Sequence, residues 1–282
     1  MLFINFNGKI LDATTPIIEA DNRGLRYGDG LFETMKYSNG KILQSKEHLE
    51  RLWEGMYLME FDLPKLFSKD FLLHQIIALT EKNKHSFARV RVTIFRGNGG
   101  LYDAANHHPH YIIQSWPLPE SNLLLNENGL ELMIYKDAIK NIDRFSNCKH
   151  NNYLPYVMGA IAAKKNKCND AILLNNKGNI CDSTVANIFI IKGNTISTPA
   201  LSEGCVAGIM RTSIILCLQT IGETIIEREI NESELWEADE IFLTNSITPI
   251  KWVATFQNKS YGNAKIKQLF HSLFQTKREL FC

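Results

Sequence analysis

Lys149 lies in the stretch Asn147-Cys148-Lys149-His150-Asn151-Asn152, polar without being a run of charge. A lysine amine becomes an imine-forming nucleophile when burial or a neighbouring cation lowers its pKa; left in water it is an ordinary surface cation. Asp182 lies in the strand-like run Cys181 to Phe189. A carboxylate there is costly unless paired. A protonated ring nitrogen of a bound group is one partner for it, and water at a bulge or edge is another. Arg51 stands between core-type residues Leu49 and Leu52. Its planar fork suits a phosphate as well as a surface salt bridge. Gly208-Ile209-Met210-Arg211 opens a helix after a loop containing Gly204. Free N–H groups and the helix dipole make such a start a phosphate seat, or simply a glycine where a helix begins. Thr244-Asn245-Ser246 ends a strand and offers a hydroxyl and amides to the same kind of ligand, or forms a plain turn. Arg91 and Arg96 sit in or just after the strand ARVRVTIF. Each suits a carboxylate or a cross-strand ion pair, and one of the two is expected to be structural.

Three other motifs carry less. Gly28-Asp29-Gly30 precedes a strand, so it is not a dinucleotide fingerprint. Arg96-Gly97-Asn98-Gly99-Gly100 lacks the lysine and hydroxyl of a P-loop. His107, His108 and His110 crowd one loop without a matching cysteine or acid, and no metal site is expected from them.

The elements that must position these residues follow from pattern. Phe3–Phe6 and Lys9–Leu11 flank Asn7-Gly8, a hairpin signal, and Leu31–Tyr37 and Lys41–Leu43 flank a second turn. Residues 47–60 and 71–82 carry apolar side chains at helical spacing, and residues 88–95 and 111–115 read as strands. The Pro- and Asn-rich stretch 117–128 reads as a linker between domains 1–116 and 129–282. The second half reads as strands at 130–135, 171–175, 180–191, 224–229 and 240–244, with helices following Asn152, Gly208, Glu232 and Gly262 (the last through Leu280). Hairpins mixed with helices indicate an α/β or mixed α+β fold. The 282 residues are 45% hydrophobic, with 31 basic and 30 acidic residues and a net charge of +1. That balance lacks the basic stripe of a nucleic-acid-binding surface. No apolar run reaches the ~20 residues of a membrane helix. Six cysteines without a CxxC pair and a start lacking a secretory pattern point to a reduced, cytoplasmic protein.

Taken in order, Tyr27 to Glu33, His48 to Leu52, Arg89 to Gly97, Lys149 to Leu154, Asp182 to Phe189, Gly204 to Arg211 and Thr244 to Pro249 resemble the class IV (fold type IV) pyridoxal-phosphate enzymes over nearly the whole chain. That family includes branched-chain aminotransferases, D-amino acid aminotransferases and aminodeoxychorismate lyases. The resemblance implies a smaller N-terminal α/β domain and a larger C-terminal pseudo-barrel domain. It implies pyridoxal 5′-phosphate as cofactor, held on Lys149. It implies a phosphate site made by Arg51, the amides of Ile209 and Met210, and Ser246. Met210 stands where a threonine is frequent, so only its amide is available. Tyr153 matches a tyrosine near the cofactor's phenolic oxygen. Asp182 takes the place of a glutamate that faces the ring nitrogen, one methylene shorter.

Arg91 matches a carboxylate-binding arginine, with Arg96 as a second candidate, and Tyr27 and Phe32 match side-chain pocket positions. The implied activity is amino transfer between a small, branched-chain-like amino acid and a 2-oxo acid. The alternative is a 4-amino-4-deoxychorismate lyase releasing pyruvate and p-aminobenzoate, and a lesser one is cofactor binding without catalysis. The resemblance also implies a homodimer, its active site lying between the domains and partly completed by the neighbour. Cys148 reads as a small packed residue, or as one tuning its neighbour.

Overall fold

The computed structural model describes residues 2–276. Two compact units divide the chain: Met1–Glu120 with Cys148–Asn152, and Ser121–Asn147 with Tyr153–Cys282.

The first unit contains β1 (Phe3–Phe6), β2 (Lys9–Asp12), α1 (Arg23–Tyr27), β3 (Gly30–Ser38), β4 (Lys41–Ile42), α2 (Ser45–Leu58), α3 (Lys69–Lys82), β5 (Phe87–Arg96) and β6 (Pro109–Pro117). Its sheet runs β2-β1-β6-β5-β3-β4. The β1–β2 turn uses Asn7 and Gly8 at positive φ, 49° and 87°, as its sequence requires. Strand alternation sends Val90, Val92 and Ile94 of β5 into a core with Leu49, Leu52 and Met56 of α2 and Leu72, Ile76 and Leu79 of α3. The expected helix over 71–82 begins earlier, because Ser68 caps it by accepting a hydrogen bond from Phe71 N at 3.1 Å. The opposite sheet face brings Phe32 beside Thr93 and Thr34 beside Arg91.

The segment Cys148–Asn152 returns to this unit and pairs with the start of β3. Phe32 N donates to Lys149 O at 2.9 Å, Asn151 N donates to Gly30 O at 2.8 Å, and Leu31 bridges His150 antiparallel. Gly30 is required at this crossing, since a Cβ there would lie 2.1 Å from Ile94 O. A linear division at residues 117–128 does not anticipate this return.

The second unit contains β7 (Leu130–Lys140), α4 (Leu154–Lys165), β8 (Asp170–Asn175), β9 (Ile180–Ser183), β10 (Asn187–Lys192), β11 (Thr195–Pro199), α5 (Ile209–Thr220), β12 (Thr224–Arg228), α6 (Ser233–Glu237), β13 (Glu240–Thr244), β14 (Lys251–Phe256), β15 (Lys259–Ser260) and α7 (Ala264–Thr276). Its sheet, which includes a half-barrel, runs β12-β11-β10-β13-β14-β7-β8-β9, with β15 on β14. The apolar run 180–191 forms two strands where one was expected. Ser183 N donates to Ala186 O at 2.8 Å and Ala186 N donates to Ser183 Oγ at 3.1 Å, and this local turn breaks the run. β7 runs past its expected end at Tyr135, through a register shift between Tyr135 and Ile139, as far as Lys140. Pro155 sits in the first turn of α4, where its missing N–H leaves no bond unmade. The last four residues of the expected terminal helix, 277–280, lie outside the described residues.

Candidate active site

In the first unit, Lys149 is half-buried and its Nζ lies 4.7 Å from the centre of the Phe32 ring. The guanidinium carbon of Arg91 lies 3.7 Å from the same ring centre. An amine and a guanidinium therefore share one buried aromatic ring as a wall. Arg91 Nε also donates to Thr93 Oγ1 at 3.1 Å, which fixes the side chain along β5.

Arg96 is placed differently. Its Nε lies 3.2 Å from Asp29 Oδ1, and Nη1 reaches Glu60 O at 3.1 Å and His107 Nδ1 at 2.9 Å, while Nη2 donates to Met59 O. Buried and engaged by protein acceptors on every nitrogen, Arg96 ties β5 to the end of α2. It is the arginine of the pair that has the structural role. Tyr27 ends α1, half-buried, with its ring centre 5.8 Å from that of Tyr102. The three loop histidines diverge: His107 meets Arg96, His108 Nδ1 lies 3.0 Å from Asp62 O, and His110 Nδ1 lies 2.9 Å from Asn7 Nδ2. Among the described residues, no group of three or more His, Cys, Asp or Glu side chains is arranged to hold a metal ion.

Arg51 of α2 forms a fork on Glu33. Nε donates to Oε1 and Nη2 to Oε2, each at 2.7 Å, and His48 Nδ1 lies 2.7 Å from Oε2. Burial alone would raise the Glu33 carboxyl, but the charges and hydrogen bonds of Arg51 and His48 outweigh it and bring it down to about 2. Sequence reasoning missed Glu33 and His48 as holders of Arg51. Cys148 packs against Gly55 of α2, where a Cβ would come within 3.1 Å of its Sγ. Burial pushes its thiol up to about 11, so it is a packed neighbour of Lys149 and not a reactive one.

In the second unit, Asp182 of β9 is the hub. Its Oδ2 takes Lys140 Nζ at 2.9 Å, Tyr156 OH at 2.9 Å and Val206 N at 3.1 Å. Its Oδ1 takes one hydrogen bond, from Asn187 Nδ2 at 3.0 Å. Asn187 also donates to Val206 O at 2.9 Å, tying Asp182 to the segment that leads into α5. A Cβ on Gly208 would lie 2.0 Å from Asn187 Oδ1, so glycine is required there. Burial and the Asp182 charge push the Tyr156 phenol well above its usual range. Tyr153, the residue the resemblance singled out, stacks on Tyr156 with ring centres 4.4 Å apart. Lys140, Tyr156 and Asn187 were not expected from sequence. Only the split of residues 180–191 into two strands puts Asn187 opposite Asp182.

The N–H groups of Ile209, Met210 and Arg211 precede the first intrahelical bond of α5, Thr212 N to Gly208 O at 3.0 Å. Its N-cap residue is Gly208, and no side chain of the described residues caps it. The Met210 side chain is buried in the core, which leaves only its amide for a ligand. Thr244 Oγ1, at the end of β13, is buried without a hydrogen-bond partner among the described residues, and half-buried Ser246 follows in a turn held by Asn245 Oδ1. Uncapped amides, an unpartnered buried hydroxyl and one lightly loaded carboxylate oxygen are the donor and acceptor set that a phosphorylated, nitrogen-containing ring requires.

Residues 30–254 match the sequence profile described as Amino-transferase class IV. The chain belongs to the class IV aminotransferase family. Enzymes of this family depend on pyridoxal 5′-phosphate, which the residues of the second unit fit. This aminotransferase is 27% identical to a putative branched-chain-amino-acid aminotransferase of Methanocaldococcus jannaschii, over 96% of this chain and 93% of that protein. It is 26% identical to an aminodeoxychorismate lyase of Vibrio harveyi, over 84% and 88%. Its fold matches a branched-chain aminotransferase of Thermoproteus uzoniensis at a TM-score of 0.87, with 21% identity, 99% of this chain and 97% of that one covered. These neighbours give the fold as fold type IV.

Proposed function

We propose that this enzyme transfers the amino group of a small, branched-chain-like amino acid to a 2-oxo acid. The observation that carries the reading is the Phe32 ring, with Arg91 at 3.7 Å and Lys149 at 4.7 Å. The Arg91 guanidinium is the group that would bind the substrate carboxylate. The Lys149 amine is the group that would take the α-proton and carry it away from the α-carbon. Phe32 and Tyr27 are proposed to line the side-chain pocket. The bound cofactor supplies an electron sink for the negative charge left at the α-carbon. Lys149 is the residue proposed to hold it covalently. Asp182 accepts a hydrogen bond from its ring nitrogen, and Tyr153 lies by its phenolic oxygen. Arg51, the amides of Ile209 and Met210, and Ser246 bind its phosphate. Glu33 holds Arg51 by its Nε and Nη2 edge.

The lyase reading has its support in the Vibrio harveyi relative. Incubating the yellow protein with a panel of substrates tests both. Colour lost with an amino acid and restored with a 2-oxo acid supports amino transfer. Pyruvate and p-aminobenzoate from aminodeoxychorismate, with no response to any amino acid, refutes it in favour of the lyase. Protein that turns yellow with the cofactor but responds to neither amino acids nor aminodeoxychorismate refutes both in favour of a non-catalytic role. We propose further that the chain forms a homodimer. Exposed Leu154, Val157, Met158 and Ile161 make an apolar row on α4 that a second copy would cover, and the mass in solution by light scattering tests it. A cytoplasmic location is part of the same proposal, supported by five described cysteines that are all free thiols.

A further inference from the structure

We infer that Lys140 is a positioning residue that sets the proton affinity of the cofactor's ring nitrogen. The inference rests on the proposed role of Asp182 and goes past it. Three donors converge on Asp182 Oδ2, and Lys140 is the charged one. Among the described residues Oδ1 holds only the Asn187 amide, so it is the oxygen with a lone pair directed elsewhere. Lys140 is nearly as buried as Asp182, with side-chain exposures of 8% and 3%, so water screens the pair little. The register shift in β7 is the device that brings it there.

The consequence concerns charge. An unbalanced carboxylate keeps a neighbouring ring nitrogen protonated. A carboxylate already paired with an ammonium 2.9 Å away is close to neutral as seen from Oδ1. The other ionisable groups facing Asp182 are Tyr156 from α4, Cys181 from β9 and Cys205 from the segment before α5. Burial raises all three, so they stay neutral through the working range and Lys140 supplies the counter-charge. The ring nitrogen would still donate to Oδ1, but it would lose its proton more readily than beside an unpaired carboxylate. The electron sink would be correspondingly milder.

The test uses the full chain with 4′-deoxypyridoxine 5′-phosphate, a cofactor analogue with no aldehyde, whose absorbance follows ring protonation. In the wild-type protein the bound ring titrates within about one pH unit of the analogue in water. Lys140→Gln keeps a donor for Oδ2 but removes the charge, and it moves the midpoint up by about one to two pH units. Lys140→Arg keeps the charge and leaves the midpoint within about half a unit of wild type. A ring that stays protonated far above its free midpoint in wild-type protein overturns the inference, whether or not the variants fold. So does a Lys140→Gln protein that binds the analogue with an unmoved midpoint, and in that case the Asp182 reading survives. An analogue that does not bind wild-type protein overturns both.

Discussion

Replacing Glu33 by Gln tests the ion cluster that holds Arg51. Glu33 is 1% exposed and is bound by two nitrogens of Arg51 and one of His48. Its carboxyl falls from the ordinary 4.5 to about 2 in the folded chain. That difference corresponds to about 3 kcal/mol of stability, at ~1.4 kcal/mol per pH unit. Because the folded value is the lower one, this contribution is fully present above pH 4.5 and is lost as the pH falls through about 2. An independent route gives a similar size, since removing one partner of a buried ion pair costs about 3–5 kcal/mol. Urea unfolding at pH 7 and at successive steps down to pH 2 is the assay. Glu33→Gln is expected to be less stable by about 3 kcal/mol at pH 7, with the gap closing toward pH 2. A gap under about 1 kcal/mol at pH 7, or one that is constant with pH, refutes the reasoning.

Lys149→Ala is expected to lose both the yellow colour and turnover, read by absorbance and product formation; either one at wild-type level removes Lys149 from the mechanism. Arg91→Leu is expected to lower kcat/KM about 100-fold, mainly through KM, because a charged hydrogen bond to the substrate carboxylate is lost; an unchanged KM would assign the carboxylate elsewhere. Gly208→Ala is expected to weaken cofactor binding about 10-fold in a titration followed by absorbance, since a Cβ 2.0 Å from Asn187 Oδ1 displaces the amide that serves Asp182. Gly30→Ala is expected to lower the melting temperature steeply, its Cβ lying 2.1 Å from Ile94 O at the end of the β3–β5 pairing.

Much of this fold was legible where the signal is local. Asn7-Gly8 marked its hairpin, the apolar spacing of Leu49, Leu52 and Met56 marked α2, and Pro155 marked the start of α4. Lys149, Arg51 and Asp182 emerged from the order of several weak motifs, none of which stood out alone. What stayed illegible depends on contacts distant in sequence. Lys140 reads as a surface lysine until the register shift in β7 carries it onto Asp182, forty-two positions on. Asn187 reads as one more strand residue until Ser183 and Ala186 close a turn between it and Asp182. Arg91 and Arg96 are equivalent in the sequence. They part because the strand delivers one beside Phe32 and the other beside Asp29, Met59 and Glu60. β11, rich in Ser and Thr and closed by Pro199, gave no strand signal, and its hydrogen bonds come from β10 and from a parallel neighbour, β12.

The short return of residues 148–152 to the first unit also bears on how the chain is made. The edge of β3 at Gly30 and Phe32 is completed by Lys149 and Asn151, which are added more than a hundred residues later. A nascent chain that has reached only Glu120 carries the six strands and three helices of the first unit but lacks the backbone that satisfies this edge. The first unit is therefore not finished until synthesis has passed Asn152, after residues 121–147 of the second unit have been made. Its last piece to arrive is the one bearing the amine, so the nucleophile is put in position by the same event that closes the sheet.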